Sequence, residues 1–362
     1  MNNKNLCLLL AALLILFLPL GAKADDGQEV YRLLNAQGEV LTYYAGTPDP
    51  GDEYIAGDNG HYRVTQTDSN AKTALTERLG SFAMPDVQWA EDSAQPVSAR
   101  KKAVALYCTH SDESYEPTDG TSSIKSRGGI YDVAESLKAA LEKQGVTVYY
   151  SEENHFPHDA GAYRRSRSTA ASLAEEGVDA IFDVHRDGIP DASQYESQVD
   201  GEDVTKVRLL VGRSNQNAEA NKQFAAQIKA VADKVYPGLV KDIYIGKGTY
   251  NQDLMSQAVL LEFGTHKSDK NEVLASTAYM ADVLNRTLYG GVTGAAGEGK
   301  DGTARENAGG WSGAARLIVL LLAGVFLYAF AASGNFKTAA HKWKRSFQEM
   351  TGGLFGGRKE DE

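Results

Sequence analysis

Two rhythms of apolar residues run along this chain. From about residue 102 to residue 289, short near-continuous apolar runs alternate with longer segments whose apolar positions recur every three or four residues. Ala103-Val104-Ala105-Leu106-Tyr107-Cys108-Thr109 leads into His110. Ala180-Ile181-Phe182-Asp183-Val184 leads into His185, Arg186 and Asp187, and Ala258-Val259-Leu260-Leu261 leads into Glu262. Such runs mark strands buried on both faces of a parallel sheet, and Val146-Thr147-Val148-Tyr149-Tyr150 adds another. Between them, Gly128-Gly129 introduces a helix to about Lys143, with Val133, Leu137, Ala140 and Leu141 on one face and Gly145 to end it. Residues 162–176, 217–235 and 272–288 read as helices too. Strands alternating with helices imply parallel pairing through right-handed crossovers. The expected fold is therefore α/β, an open, mostly parallel sheet with helices on both faces.

Ahead of this unit, residues 25–80 follow the shorter rhythm. Val30–Leu34 and Glu39–Tyr44 flank a turn with Asn35 and Gly38, and Asp58-Asn59-Gly60 precedes His61–Thr65. Alternation broken by Gly, Asn and Asp predicts hairpins, hence a small β-rich domain. Residues 81–101, with Pro85 and Pro96 and no clear period, read as a linker to a catalytic unit at 102–289.

Both ends carry membrane-type hydrophobicity. Residues 1–24 have Lys4, an apolar run from Leu6 to Leu20 and an Ala22-Lys23-Ala24 ending, the pattern of a secretory signal peptide. Residues 290–312, rich in Gly and Ala, read as a flexible tether, and residues 313–334 as a transmembrane helix. Lys337, Lys342, Lys344 and Arg345 place the 335–362 tail in the cytoplasm, leaving the catalytic unit outside a single-pass cell membrane anchor. A net charge of −11 argues against a nucleic-acid partner. With only Cys7 and Cys108, neither a disulfide framework nor a four-cysteine zinc site can be built, and Cys108 reads as a small core residue.

Any metal must then sit on histidines and carboxylates. His110 and His185 each close a core strand, where the chemistry of open α/β sheets gathers. A catalytic zinc takes three protein ligands and leaves one position open. Glu113, in the loop after His110, is the first choice for the third, with Asp112, Glu116 and Asp132 as substitutes and His266 in reserve. Glu262, between Leu261 and Phe263, suits a proton carrier of raised pKa, or else a structural carboxylate paired with Arg186 or a lysine. Asp183 or Asp187 could orient an imidazole. Arg186, Asn251 and Gln252 are candidates for holding substrate, the amides alternatively serving as loop caps. The pattern points to a zinc hydrolase.

Several spaced motifs carry a more specific likeness. Thr109-His110-Ser111-Asp112-Glu113-Ser114-Tyr115, Gly129-Ile130-Tyr131-Asp132-Val133, Asp183–Asp187, Tyr236-Pro237-Gly238-Leu239, Tyr250–Leu254 and Leu261-Glu262-Phe263-Gly264, in that order, resemble the stage II sporulation protein P family. The resemblance implies a zinc-dependent N-acetylmuramoyl-L-alanine amidase fold. It implies cleavage of the amide between glycan and stem peptide of peptidoglycan, with an accompanying endopeptidase activity. It further implies action in forespore engulfment beside stage II sporulation proteins D and M. Carried over by position, His110 and His185 match zinc ligands, Glu262 the catalytic carboxylate, and Glu113 a glutamate of the first motif. Rival readings are a wall-binding scaffold without catalysis and a zinc peptidase acting only on stem peptides.

Overall fold

The computed structural model describes residues 29–87 and 101–290. The signal peptide, most of the linker, the tether, the membrane helix and the tail expected from the sequence lie outside these residues. No helix among the described residues is long and apolar enough to cross a membrane.

Five strands come first, β1 (Val30–Leu34), β2 (Val40–Ala45), β3 (Glu53–Ile55), β4 (Gly60–Asp68) and β5 (Thr73–Ser81). The α/β part follows as β6 (Ala103–Tyr107), α1 (Ile130–Lys143), β7 (Thr147–Tyr150), α2 (Ala162–Ala174) and β8 (Ala180–Asp187). A hairpin, β9 (Glu196–Val199) and β10 (Glu202–Thr205), leads to β11 (Val207–Gly212), α3 (Ala218–Val235), β12 (Val240–Gly246), β13 (Ala258–Thr265) and α4 (Lys270–Tyr289). Apart from the hairpin, all strands belong to one sheet of order β2-β1-β5-β4-β3-β12-β11-β13-β8-β6-β7.

The α/β expectation holds, with one correction of strand direction. β13, β8, β6 and β7 are mutually parallel, and so are β11 and β12, but β11 runs antiparallel to β13. The cause lies in the connections. A parallel neighbour requires a long crossover, usually a helix. Between β8 and β11 the chain makes the hairpin instead, and no helix joins β12 to β13.

The β-rich leader, which the sequence suggests as a unit of its own, continues this sheet. Ile55, Tyr54 and Glu53 of β3 pair with Ile243, Tyr244 and Ile245 of β12. The sheet then curls, so that β2, at its far end, returns over β11: Arg208 donates to Thr42 Oγ1 at 2.7 Å and to the Tyr43 carbonyl at 3.0 Å.

Alternation sorts the side chains between two faces. Val104, Leu106, Phe182, Val184, Val259 and Leu261 pack with α1, α3 and α4. On the opposite face Ala105, Ile181 and Ala258 pack with α2, while Leu210, Tyr244 and Leu260 pack with Leu33, Tyr54, Val64 and Ala74 of the leader. Helices therefore cover both faces, but one face is shared by a single helix and the curled leader. The functional side chains open into the gap between those two covers.

Candidate active site

Three neighbouring strands contribute one cross-strand row. Arg208 of β11 pairs with Glu262 of β13, and Glu262 pairs with His185 of β8. Because successive side chains alternate, Asp183, His185 and Asp187 all point to the face that also carries Leu260 and Glu262. Just beyond Glu262 the β8–β13 register slips by one residue before Thr265 meets Asp187. Gly264 occupies this bulge at φ +63°, a conformation that L side chains rarely adopt, and a Cβ there would lie 2.8 Å from Ser268 Oγ.

His110 and Glu113 arrive on the loop after β6. The Glu113 N–H donates to the His110 carbonyl at 3.2 Å, and the Gly128 N–H ties the same loop through the Ser111 carbonyl at 2.9 Å. Gly128 lies so close that a Cβ would be 2.2 Å from the Glu113 carbonyl oxygen, which fixes the loop against the start of α1. Glu113 Oε2 accepts from the Arg186 N–H at 2.9 Å. Its Oε1 is left facing His110 Nδ1 at 3.1 Å and His185 Nδ1 at 3.4 Å. One ligand atom from each of His110, Glu113 and His185 lies within 4.8 Å of the other two. Behind them His185 Nε2 is 3.0 Å from Asp183 Oδ1, and Asp183 accepts from the Thr109 N–H at 2.8 Å and hydroxyl at 2.6 Å. Asp183 is thus a counter-charge beside Nε2, and Nδ1 is the nitrogen turned toward Glu113.

The charges agree with this division. Burial pushes His110 down to about 4, against the pull of Glu113, so its imidazole is neutral as a ligand must be. Burial alone would raise Glu113, but His185 and His110 hold it well below the usual carboxylate range. Burial opposes a proton on His185, yet Asp183 and Glu113 together keep its pKa well above that of free histidine, so a metal bound there would displace that proton. Burial and the nearby Asp187 push Glu262 up as well, to about 8. Its Oε2 is buried and has no hydrogen-bond partner among the described residues. Two imidazoles and an anionic carboxylate converging on one point, each steadied by a neighbour, suit a divalent cation such as zinc.

Beneath the row lies a fully buried ion network. Arg208 donates to Asp242 through Nε at 2.6 Å and a terminal nitrogen at 2.9 Å, and to Asp187 at 3.0 Å. With Thr42 and Tyr43 its five N–H donors are all engaged. Tyr195 donates to Asp187 at 2.6 Å, and Lys241 joins Asp242 at 2.8 Å.

The other expected residues divide. Asp132 pairs with Arg127 and Lys270, and Glu116 with Lys267, while Asp112 accepts from Ser123 through Oδ2 at 2.6 Å and turns its buried Oδ1 to His158 Nδ1 at 3.6 Å; none of the three is in the converging set. His266 is buried outside the cluster. Cys108 is a buried free thiol, as its strand position suggests. Arg186, expected at the substrate, lines the cavity and also holds the ligand loop through the carbonyls of Ser114 and Ser122. Asn251 and Gln252 are not among the residues that line it. Asn251 donates to Tyr163 and Ser166, while Gln252 bridges the Gly212 N–H and the Leu210 carbonyl. Side chains on an abrupt loop were needed to satisfy buried backbone, the capping alternative.

The cavity beside the metal-type cluster, about 130 Å³, is lined also by His158, Tyr163 and Tyr250, from polar stretches that stand out in the sequence, and by Tyr44, Ala45 and Leu210, which the sequence did not single out. His158 stacks on His110 with ring centroids 3.7 Å apart. His158 and Tyr163 belong to a donor-rich stretch visible in the sequence, whereas Tyr44 and Ala45 come from the leader.

With this geometry in place, the comparison with known proteins is decisive on kinship. The profile of the stage II sporulation protein P family matches residues 51–285. The chain belongs to that family. It is similar to the stage II sporulation protein P of Bacillus subtilis (strain 168), 29% identical over 231 residues, which are 58% of this chain and 57% of that protein. The match thus spans little more than half of the curated relative. Among solved structures, this family member resembles an N-acetylmuramoyl-L-alanine amidase from Clostridium difficile 630, at TM-score 0.35 and 10% identity over 52% of this chain and 95% of that one. It also resembles the CwlD amidase of Clostridioides difficile, solved in complex with the GerS lipoprotein, at TM-score 0.35 and 12% identity over 52% and 96% of the two chains.

Proposed function

We propose that this protein is a zinc-dependent peptidoglycan hydrolase that cleaves the amide between N-acetylmuramic acid and L-alanine during sporulation. The observation that carries the reading is the half-buried Glu262, paired on the ladder with His185 and carrying a buried Oε2 that has no hydrogen-bond partner among the described residues. A structural carboxylate would be paired. Family membership supplies the biological setting.

His110, Glu113 and His185 would hold the ion. When bound, zinc supplies a Lewis acid that polarises a carbonyl oxygen and acidifies water. Asp183 sits as a counter-charge beside the His185 ring, and the Arg186 N–H holds Glu113 with Oε1 toward the ligand point. Glu262 takes a proton from the attacking water and returns it to the nitrogen of L-alanine as the C–N bond breaks. The lactyl side then ends as a carboxylate and the stem peptide leaves as an amine. A pKa raised to about 8 suits a group that must both accept and donate near neutrality.

Action at the outer membrane surface in forespore engulfment, beside stage II sporulation proteins D and M, goes with this reading, as does an added endopeptidase activity. The test is mass spectrometry of purified sacculi after incubation with the full chain and zinc. Freed lactyl carboxyls with released stem peptides support the amidase. Shortened stems alone would make it a peptidase, and unchanged sacculi a wall-binding scaffold.

A further inference from the structure

The leader reaches the reaction cavity, and the part that does so lies upstream of the family-matched segment. The match begins at residue 51, whereas Tyr44 and Ala45, at the end of β2, line the cavity together with His110, His185 and Glu262. Here is a wall of the site that kinship alone does not assign.

Its composition is specific. Tyr44 stacks on Tyr244 with ring centroids 4.0 Å apart and planes 13° from parallel, and it lines the cavity beside Tyr250. Tyr250 meets Tyr163 edge-to-face at 5.2 Å, and Tyr163 meets the ligand His110 at 5.4 Å. An aromatic path therefore leads outward from the metal-type cluster to the leader. The wall is also rigid, since Arg208 grips the two residues before Tyr44 through Thr42 Oγ1 and the Tyr43 carbonyl.

We infer that β2 forms a subsite for the muramoyl sugar ring, with Tyr44 as its specificity-determining residue and Ala45 setting its depth. Chemistry selects the sugar over the peptide. Stem peptides carry carboxylates, which call for a cation with donors to spare; Arg208 has all five of its donors engaged within the protein, and Arg186, the other arginine lining the cavity, donates to the Ser114 and Ser122 carbonyls. A pyranose offers an uncharged face of C–H groups, which suits the negative face of an aromatic ring, and hydroxyls for the tyrosines. Size agrees as well. A cavity of about 130 Å³ is well below the roughly 300–1,000 Å³ of sites that enclose a whole ligand, so it takes one ring of the polymer and leaves the rest outside. The subsite rests on the hydrolase reading for the identity of its substrate.

Calorimetry on the full chain without added metal separates the two ideas, because it reads binding rather than turnover. The probes are N-acetylmuramoyl-L-alanyl-D-isoglutamine and the same dipeptide without its sugar. Tyr44→Leu, which keeps bulk but removes the flat ring, is expected to weaken the muramoyl probe roughly 3- to 10-fold. Ala45→Phe, which fills the cavity from a half-buried position, is expected to weaken it more. Neither change should alter binding of the sugar-free peptide. A parent chain that ignores the muramoyl probe would overturn the subsite, as would equal losses for both probes. So would a Tyr44→Leu chain that binds more tightly, which would make β2 an obstruction. Should Tyr44→Leu fail to fold, as judged by circular dichroism, Ala45→Phe decides alone. Sugar-dependent binding by a chain that leaves sacculi intact would sink the hydrolase and keep the subsite.

Discussion

His185 and Glu262 are direct partners on the parallel ladder between β8 and β13. One rung thus joins a group suited to holding a cation with a group suited to moving a proton. Their surroundings favour a proton on both: Asp183 and Glu113 raise His185, while burial and Asp187 raise Glu262. A metal on His185 would displace its proton, whereas the raised Glu262 stays free to accept and donate one.

Glu262→Gln keeps the shape of that rung and removes its proton chemistry. Turnover of sacculi is expected to fall by about 10²–10⁴-fold, the usual contribution of a positioned acid–base group, while bound zinc, read by plasma emission, stays stoichiometric. Burying the carboxylate charge raises its folded-state pKa above that of the unfolded chain, so folding weakens as pH rises toward about 8. The glutamine chain should therefore unfold no earlier than the parent at pH 8. Full activity with normal metal content would remove Glu262 from the chemistry.

The ligand set makes a separate claim. His110→Ala, Glu113→Ala and His185→Ala should each lose zinc on dialysis that leaves the parent loaded, and chelator should abolish hydrolysis by the parent. Asp132→Asn and Glu116→Gln should keep their zinc, because both carboxylates pair with cations outside the cluster. A Glu113→Ala chain with undiminished zinc content would move the third ligand elsewhere.

How much of this was legible beforehand depends on the range of the signal. The strands before His110, His185 and Glu262 announce themselves by unbroken apolar runs, and Glu113 is three residues from His110. Residues 196–246 carry four strands that no clear alternation announces, and the antiparallel turn of β11 follows from a connection that lacks a helix. Arg208 was readable in principle as a lone charge inside Val207–Gly212, a run that is buried throughout. Its meaning was not readable, because its partners Thr42 and Tyr43 stand 166 and 165 residues away. The same distance hid Tyr44 and Ala45. Asn251 and Gln252 bond to backbone and to Ser166, and an amide that does so looks in sequence like one that holds substrate.

Arg208 anchors the leader to the catalytic face, and its removal should be costly. Arg208→Ala leaves Asp187 and Asp242 buried near each other with only Lys241 and Tyr195 to answer them. Breaking a buried ion pair from one side costs about 3–5 kcal/mol, so urea unfolding should shift by that much. Thr42→Val removes a single acceptor from the same guanidinium and should cost about 1 kcal/mol. An Arg208→Ala chain as stable as the parent would mean that β2 is held by packing alone.

The junction between leader and sheet has its own pH signature. Glu53 of β3 accepts from His61 at 2.8 Å and from Lys222 of α3 at 2.5 Å, and its hydrogen bond to His61, with the ion pair to Lys222, lowers it to about 2 against the pull of burial. A depressed carboxylate stabilises the fold fully above its unfolded pKa, and that stabilisation is lost as pH falls toward the folded value. Glu53→Gln should therefore be less stable than the parent by about 1–3 kcal/mol at pH 7. The gap should narrow between pH 4.5 and about 2, measured as the difference between urea midpoints. Because Glu53 sits where β3 meets β12, the loss should be accompanied by freer amide exchange at Tyr244 and Ile245, its neighbours across that pairing. A stability gap that stayed constant over the acid range would mean that Glu53 contributes by shape rather than by charge.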